Sequence, residues 1–258
     1  MNELDQVRRD LVIANRILAR EEVVDAYGHV SMRHPHDPGR YLLSRSRSPE
    51  LIEADDILEF TLDGVPVKDD GRPPYLERFI HGAIYEARPE VKAVIHSHAE
   101  DLLPYGITRS KMPPVIHSGS IIGAEVPTWD IADQFGKSTD LLVRNMDQGR
   151  DLAKRLAGNR LVLMRGHGFA AAGRSLMDAV RIGVYAPKNA RVYTAALRLG
   201  EVQPLHPGEI SARVDLFNPD TAEMWRAWEY WARRAGVAEL LGEPPKAARQ
   251  WRQKSDRP

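Results

Sequence analysis

The chain has 258 residues, of which 43% are hydrophobic, enough apolar material for one ordinary globular core. Its 36 Lys and Arg residues balance 36 Asp and Glu residues, which argues against nucleic acid or an anionic membrane as partner. There is no cysteine, so any metal must be held by histidines and carboxylates. No apolar run is long enough for a membrane span and the first ten residues lack a secretory signal, so we expect a cytoplasmic protein.

The first third of the chain predicts one helix followed by short strands. Apolar residues recur at helical spacing over Glu3–Arg20, and the next segment breaks at Gly28. Pro and Gly residues then separate short apolar runs, and Asp63-Gly64 is suited to a tight turn. The predicted strands are His29–Arg33, Arg40–Ser44 and residues 56–61.

The middle of the chain alternates helices and strands irregularly, without the repeated units of a parallel fold. We predict helices over residues 77–87 and 149–156, strands over residues 91–98 and 161–164, and a turn over residues 166–168. Ser175, with Asp178 three residues later, begins a long helix to about Leu199 that Pro187 should kink. This alternation predicts a mixed α/β sandwich.

Composition changes after residue 200, which we take as the end of a first domain, 1–200. The remaining segment, 201–258, begins with a predicted linker at residues 203–208 and contains an aromatic helix. In that helix Trp225, Trp228 and Trp231 recur every three residues. Two interpretations are equally open: the stripe packs on its own domain, or it forms a subunit interface, where Trp is favoured.

Two histidines separated by one residue give the sharpest local signal. His96 and His98 lie on a predicted strand, so both imidazoles point to one face and can share a metal ion. His167, between two glycines at the end of a buried strand, is a third candidate ligand. Glu77, at the start of a helix, is a fourth ligand or an acid/base group. Each of these residues alone also fits an ordinary structural role.

Taken together, the motifs from about residue 11 to residue 200 resemble the class II aldolase/adducin superfamily. The matching pieces, in order, are YGHVSMR at 27–33, residues 41–49, DDI at 55–57, LDG at 62–64, Glu77 with His81, RPEVKAVIHSH at 88–98, and LMRGHG at 163–168 with Gly173. The resemblance implies an αβα sandwich with a mixed, largely antiparallel central sheet, commonly as a homotetramer. It also implies one divalent ion per subunit, held by His96, His98, His167 and Glu77. A set of three histidines and one carboxylate is compatible with Zn, Mn, Fe and Co, so the sequence does not identify the metal.

Departures from the sugar-phosphate aldolases of that superfamily indicate the substrate. Where those enzymes bind phosphate through small hydroxyl and amide groups, this chain has Ala26, His29, Arg45, Arg47, Tyr75 and Leu76. Guanidinium groups match carboxylates and an aromatic ring suits a flat substrate, so we infer a planar carboxylate. A solvated basic loop is the alternative for the two arginines. The predicted substrate-binding residues are His29, Ser31, Ser44, Arg45, Ser46 and Arg47.

These same segments resemble the decarboxylase branch, which acts on 2-hydroxy-3-carboxymuconate semialdehyde, dihydroxyphthalate or hydroxymethylpyridine dicarboxylate. The resemblance implies a metal-dependent lyase that releases CO₂ from a hydroxylated aromatic or heteroaromatic acid in aromatic catabolism. Glu77 is the first candidate for the protonating acid, and His117 is a second candidate or an ordinary loop residue. His81, one turn after Glu77, either orients it or packs locally. The alternatives are an aldolase for a small oxo-acid and, less favoured, an adducin-like interaction module.

Overall fold

The computed structural model of the chain describes residues 2–215 and 218–249. It begins with α1, Glu3–Arg20, as the apolar spacing predicts. The side chain of Asn2 accepts a hydrogen bond from the Asp5 backbone N–H at 2.8 Å and so caps the first turn. The apolar face of α1, which includes Leu11 and Ile17, is fully buried.

A seven-stranded sheet forms the centre of the molecule, in the order β3-β2-β1-β4-β7-β6-β5. Every neighbouring pair is antiparallel except β5 and β6, which are parallel, so the predicted mixed, largely antiparallel sheet is confirmed. The strands are β1 His29–Arg33, β2 Arg40–Ser44, β3 Ile57–Thr61, β4 Ala93–Ser97, β5 Thr128–Trp129, β6 Leu161–Met164 and β7 Gly168–Gly173.

Helices cover both faces of the sheet and complete the αβα sandwich. Helices α1, α6 and α8 enclose one apolar core, and α2 and α5 enclose the other. On β4, Ala93 and Ile95 belong to the first core and Val94 to the second, as the two-residue period of a strand requires. The other helices are α2 Arg78–Ala87, α3 Leu103–Ile107, α4 Ile131–Phe135, α5 Met146–Leu156, α6 Leu176–Ala196, α7 Pro207–Asp215 and α8 Ala222–Arg234.

Several elements differ from their predictions for identifiable reasons. Strand β7 was not predicted because its sequence, GFAAAG, lacks β-branched residues. Its small residues are required by close packing, since a Cβ on Gly173 would lie 2.5 Å from the Ala179 backbone nitrogen. The short β5 and α4 were also missed. The predicted linker at residues 203–208 is wrong at its end, where α7 begins at Pro207.

The tryptophan stripe lies inside the molecule. Trp225, Trp228 and Trp231 are all buried in the core shared by α1 and α6, so the first of the two interpretations holds. The expectation that this stripe offers apolar area to another subunit is therefore wrong, because the chain itself already covers it. In the described part of the chain, no helix is both long and apolar enough to cross a membrane.

Candidate active site

Four potential metal ligands converge at one end of β4. The Nε2 atoms of His96 and His98 lie 3.1 Å apart, as do those of His98 and His167. Glu77 Oε2 is 3.3 Å from His96 Nε2 and 3.5 Å from His167 Nε2. The four residues, Glu77, His96, His98 and His167, are here called the His/Glu cluster.

Three separate parts of the fold bring these residues together. His96 lies on β4 on the same side as Val94, and His98 follows one residue after the strand ends. His167 lies in the turn between β6 and β7, where a Cβ on Gly168 would lie only 2.1 Å from the Ser97 carbonyl oxygen. Glu77 is the N-cap residue of α2. A glycine at 168 is thus what lets the His167 turn reach the end of β4.

Backbone groups fix the orientation of three cluster members. His96 Nδ1 donates to the Phe169 carbonyl at 3.1 Å, and His167 Nδ1 donates to the Leu141 carbonyl at 2.9 Å. In both rings Nε2 is therefore the nitrogen that faces the cluster and can serve as a metal ligand. The Val143 backbone N–H donates to Glu77 Oε1 at 3.0 Å, which directs Oε2 toward the histidines.

The spacing of the cluster fits a divalent ion. Metal–nitrogen bonds of about 2.0–2.1 Å in tetrahedral geometry place neighbouring ligand atoms roughly 3.3 Å apart. The four separations given above, 3.1 to 3.5 Å, agree with that value, and all four ligand atoms lie within 4.8 Å of one another. His₃/carboxylate sets suit several first-row metals, so the residues fit a metal without selecting one.

Electrostatics favour Glu77 as a ligand rather than as an acid. Burial alone would raise the pKa of Glu77, but His96 and His167 outweigh it and lower the pKa well below its usual range. Burial and the neighbouring His96 lower the pKa of His98 to about 4, so its imidazole is neutral near pH 7. Because Glu77 is ionised and both its oxygens are engaged, the geometry does not support its predicted role as proton donor.

A cleft of about 400 Å³ opens beside the His/Glu cluster and reaches Glu77, His98 and His167. That volume lies in the range of small-molecule sites. Polar side chains on its wall include Arg47 and Ser46, and His29 packs against the ring of Tyr75 with centroids 4.5 Å apart. The cleft is completed by residues that supply apolar or small groups: Ala26, Tyr27, Gly28, Leu76 and Leu142, with Ser48.

The two predicted carboxylate-binding arginines share one acidic partner. Arg45 Nε donates to Asp56 Oδ1 at 2.6 Å, and Arg47 Nη1 donates to Asp56 Oδ2 at 2.7 Å. Only Arg47 lines the cleft, so the direct contact predicted for Arg45 is not supported in this structure. One carboxylate thus pairs with two guanidinium groups at once. The name arginine loop is used below for residues 44–51.

The predicted serines do not all face the cleft. Ser46 lines it, but Ser31 and Ser44 are completely buried. Ser31 is bonded to His81 and Tyr85. Direct substrate contact through Ser31 or Ser44 is therefore not supported, since both lie behind the wall of the cleft.

Two further histidines differ from their predicted surroundings. His81 bonds to His29 and Ser31, so it orients those residues rather than Glu77. His117 is exposed and lines a separate depression with Arg213, Glu223 and Arg226, so within one chain it does not reach the His/Glu cluster. Sequence reasoning gave no role to Asp56 or Tyr85, because only the fold brings Asp56 to both arginines and Tyr85 to Ser31.

A larger depression of about 690 Å³ adjoins the cleft and shares Ala26, Ser48 and His98 with it. Its wall is acidic, with Glu22, Asp25, Glu50, Glu100 and Asp101 against one arginine, Arg191. Arg191 already pairs with Asp101 at 2.6 Å. A carboxylate ligand is therefore favoured in the smaller cleft, on the side of Arg47.

Comparison with known proteins identifies the family. The family model for the class II aldolase and adducin N-terminal domain matches residues 9–194. The chain belongs to the class II aldolase and adducin family, and its relatives place it near the decarboxylase branch. Decarboxylase tropJ from Talaromyces stipitatus is 35% identical over 90% of this chain and 95% of its own length. A 3,4-dihydroxyphthalate decarboxylase from Arthrobacter keyseri is 25% identical over 85% and 91%.

Solved structures support the fold. An aldolase II superfamily protein from Pseudomonas syringae superposes with a TM-score of 0.76 at 20% identity, covering 93% of this chain and 98% of its own. An L-fuculose 1-phosphate aldolase from Glaciozyma antarctica gives a TM-score of 0.71 at 22% identity, covering 95% and 93%. At such identities the likeness concerns the fold alone, which is that of the class II aldolases.

Proposed function

We propose that the protein is a divalent-metal-dependent decarboxylase of a hydroxylated aromatic or heteroaromatic carboxylate, such as a dihydroxyphthalate. The observation that carries the proposal is the His/Glu cluster beside a cleft that Arg47 and the Tyr75 ring also line. Near-full-length similarity to proteins described as decarboxylases supports the same reaction, and two of these relatives act on 3,4-dihydroxyphthalate.

The residues of the cleft suit a flat acid. Tyr75, Leu76 and Leu142 supply apolar surface for a ring, and Arg47 supplies a planar donor for a carboxylate. With its second carboxylate fixed by Arg47, such a ring would present its hydroxyl and adjacent carboxylate toward the His/Glu cluster. Positioning of this kind is a large part of catalysis, because the reacting groups no longer need to find their geometry.

His96, His98, His167 and Glu77 would hold the divalent ion, which supplies a Lewis acid for the substrate oxygen where negative charge develops as CO₂ leaves. Glu77 balances part of the charge of the cluster, and the Val143 N–H keeps its carboxylate in place.

The test is to measure CO₂ release by purified protein from dihydroxyphthalates, hydroxypyridine dicarboxylates and hydroxybenzoates, with metal content determined on the same sample. We expect CO₂ and a ring-protonated product from at least one dicarboxylate, and loss of activity after chelation that added metal restores. Pairs of carbonyl fragments from an oxo-acid would instead identify an aldolase. Protein that binds no stoichiometric metal and releases no CO₂ would contradict the proposal.

We further propose that the active unit is a homotetramer, as the class II aldolase resemblance implies. The buried tryptophans do not contribute to it, so other surfaces must form the subunit contacts. Sedimentation should give a mass about four times 29.0 kDa. A fully active monomer would contradict this assembly.

A further inference from the structure

A chain of four hydrogen-bonding side chains leads from the cleft into the core. His29 Nδ1 lies 2.6 Å from His81 Nε2, and His81 Nδ1 lies 2.6 Å from Ser31 Oγ. Ser31 Oγ in turn lies 2.8 Å from the Tyr85 hydroxyl. All four residues are buried, and only His29, at the outer end, lines the cleft.

The inner end of the chain sets the direction of these hydrogen bonds. Among the described residues, the only acceptor bonded to the Tyr85 hydroxyl is Ser31 Oγ. Burial raises the pKa of Tyr85 above its usual range, so the phenol keeps its proton. The phenol proton of Tyr85 is therefore donated to Ser31.

Only one direction of donation along the chain gives each hydroxyl and imidazole proton between these residues an acceptor. If Tyr85 donates to Ser31, then Ser31 donates to His81 Nδ1, and His81 Nε2–H donates to His29 Nδ1. In the opposite direction the Tyr85 proton would be buried without an acceptor. An unpaired buried donor is costly enough to disfavour that arrangement roughly tenfold or more.

We propose that Tyr85, Ser31 and His81 are positioning residues that hold His29 as a neutral imidazole protonated on Nε2, so that His29 donates a hydrogen bond to a substrate oxygen in the cleft. The identity of that oxygen, on an aromatic carboxylate, rests on the proposed function, whereas the position of the proton does not. The Nε2 atom of His29 has no hydrogen-bond partner within the described residues, and the ring contacts Tyr75 on the cleft wall.

The hydrogen-bonded chain of Tyr85, Ser31, His81 and His29 is called the relay below. Burial keeps its inner residues uncharged. It lowers the pKa of His81 to about 3. His29 is neutral in this arrangement because its Nδ1 accepts the His81 proton, so that only its Nε2 carries a proton. A neutral donor beside Arg47 favours carboxylate, phenolate or carbonyl oxygens and disfavours substrate N–H groups, which would face another donor. The chain thereby adds a second polar contact to the specificity that Arg47 provides.

The direct test is the tautomer of His29 in protein labelled with ¹⁵N-histidine. Long-range ¹H–¹⁵N correlation spectra distinguish imidazoles protonated on Nε2 from those protonated on Nδ1, and the His29→Gln variant identifies the His29 signals. We expect the proton on Nε2 in both His29 and His81, in metal-free and in zinc-loaded protein. A His29 proton on Nδ1 would overturn the proposal, and this measurement needs no variant of the relay to fold.

The same spectra recorded with phthalate test donation to a carboxylate. We expect the His29 Nε2–H resonance to move on addition of phthalate, because the proton enters a charged hydrogen bond. An unchanged resonance at saturating phthalate would overturn the substrate contact. If the tautomer is as expected but no aromatic acid releases CO₂, the proposed function fails and the relay stands. If CO₂ is released but His29 carries its proton on Nδ1, the relay fails and the function stands.

Three variants separate the relay from simple packing. Ser31→Ala cuts the link between Tyr85 and His81, so we expect a second His29 tautomer and a kcat about tenfold lower. Tyr85→Phe removes the donor that sets the direction but leaves Ser31 able to donate to His81, so we expect a smaller population of the second His29 tautomer and a fall in kcat of less than about threefold. Tyr105→Phe, the control, loses a buried hydroxyl bonded to Thr194 at 2.6 Å in the other core and should change neither. Wild-type tautomer and kcat in Ser31→Ala would overturn the relay.

Discussion

The two sides of the cleft are built differently. On one side, Glu77 and His96 of the His/Glu cluster are buried and His98 and His167 are half-buried. His96, His167 and Glu77 are each fixed by a backbone group of the sheet or of a neighbouring loop. On the other side, Arg45 and Arg47 keep about 30% of their side chains exposed and depend on the single carboxylate of Asp56. Most substitutions leave a backbone hydrogen-bond partner in place. A single substitution of Asp56, in contrast, removes the acidic partner of both arginines.

This difference suggests a division of labour. Backbone hydrogen bonds hold three of the four cluster residues in place, as chemistry with fixed geometry requires. The arginine loop lies outside the His/Glu cluster, so we expect it to change with little disturbance to the cluster. On this hypothesis the His/Glu cluster determines the type of reaction, and the arginine loop determines which substrate binds. Substitutions on each side can test this separation.

Removal of a cluster histidine should have the largest effect. In His98→Ala the three remaining ligands are held by the fold and cannot replace the missing nitrogen. We expect metal content well below one equivalent and kcat/KM roughly 10³-fold lower or more, since a Lewis acid contributes several kcal/mol to the transition state. Metal analysis and CO₂ release on the same samples measure both.

A matched control for this substitution is His36→Ala. His36 is exposed in the turn between β1 and β2, with its Nε2 3.4 Å from Glu3 Oε2. Its loss should leave metal content and activity unchanged. Full metal occupancy in the double variant His96→Ala/His98→Ala would show that the cluster is not the metal site.

Arg47→Ala should have the next largest effect, confined to substrate binding. Loss of a charged hydrogen-bond partner in a partly desolvated site costs about 2 kcal/mol, roughly 30-fold in KM for a dicarboxylate. Metal content should not change. Arg47→Lys restores charge without the planar fork and should recover only part of the loss. The comparison requires a dicarboxylate and its monocarboxylate analogue; equal penalties on both would mean that Arg47 does not bind the second carboxylate.

Arg45→Ala should have a smaller effect, because Arg45 acts through Asp56 rather than on the substrate. We expect KM to rise about fivefold as Asp56 and then Arg47 lose their fixed positions. The sharper measurement is the double variant Arg45→Ala/Arg47→Ala. If the effect of Arg45 passes through Arg47, the second substitution adds almost nothing to the first. Additive losses would instead indicate that Arg45 reaches the substrate itself.

The sequence was a better guide to the buried side than to the exposed side. The alternation of a strand puts His96 on a defined face, and the ordered motifs around His98 and His167 carry the family resemblance, so the ligand set could be predicted. The orientations of Arg45 and Arg47 depend on Asp56, eleven and nine residues away, and no local pattern specifies such a pairing.

The scaffold shows the same limit. Capped and amphipathic elements such as α1 were predictable because local spacing and packing agree. Strand β7 was not, since its Gly and Ala residues are chosen by contacts with α6 and β4 rather than by strand preference. The sequence likewise could not decide whether the tryptophan helix packs on its own chain or on another subunit. The same apolar stripe is expected in both cases.

Asp56→Asn should produce the smallest change in activity and the clearest dependence on pH. Burial would raise the pKa of Asp56, but the Glu53 backbone and the two arginines outweigh it and lower the pKa below its ordinary value of 3.8. A lowered pKa stabilises the fold above the unfolded value, and that stability is lost as pH falls below about 4 through the folded value. Because the arginines are partly exposed, the contribution is about 1 kcal/mol.

Urea unfolding of wild type and Asp56→Asn at several pH values measures this contribution. The difference in unfolding free energy should be largest near neutral pH and should shrink below about pH 4, as the wild-type carboxyl gains its proton. Added salt should shrink it as well, because the ion pairs are partly exposed. For activity, the loss of Arg47 orientation is opposed by the gain of net positive charge, so KM should change less than about threefold. A pH-independent difference would mean that Asp56 acts through shape rather than charge, and the contrast between the two sides of the cleft would then not be electrostatic.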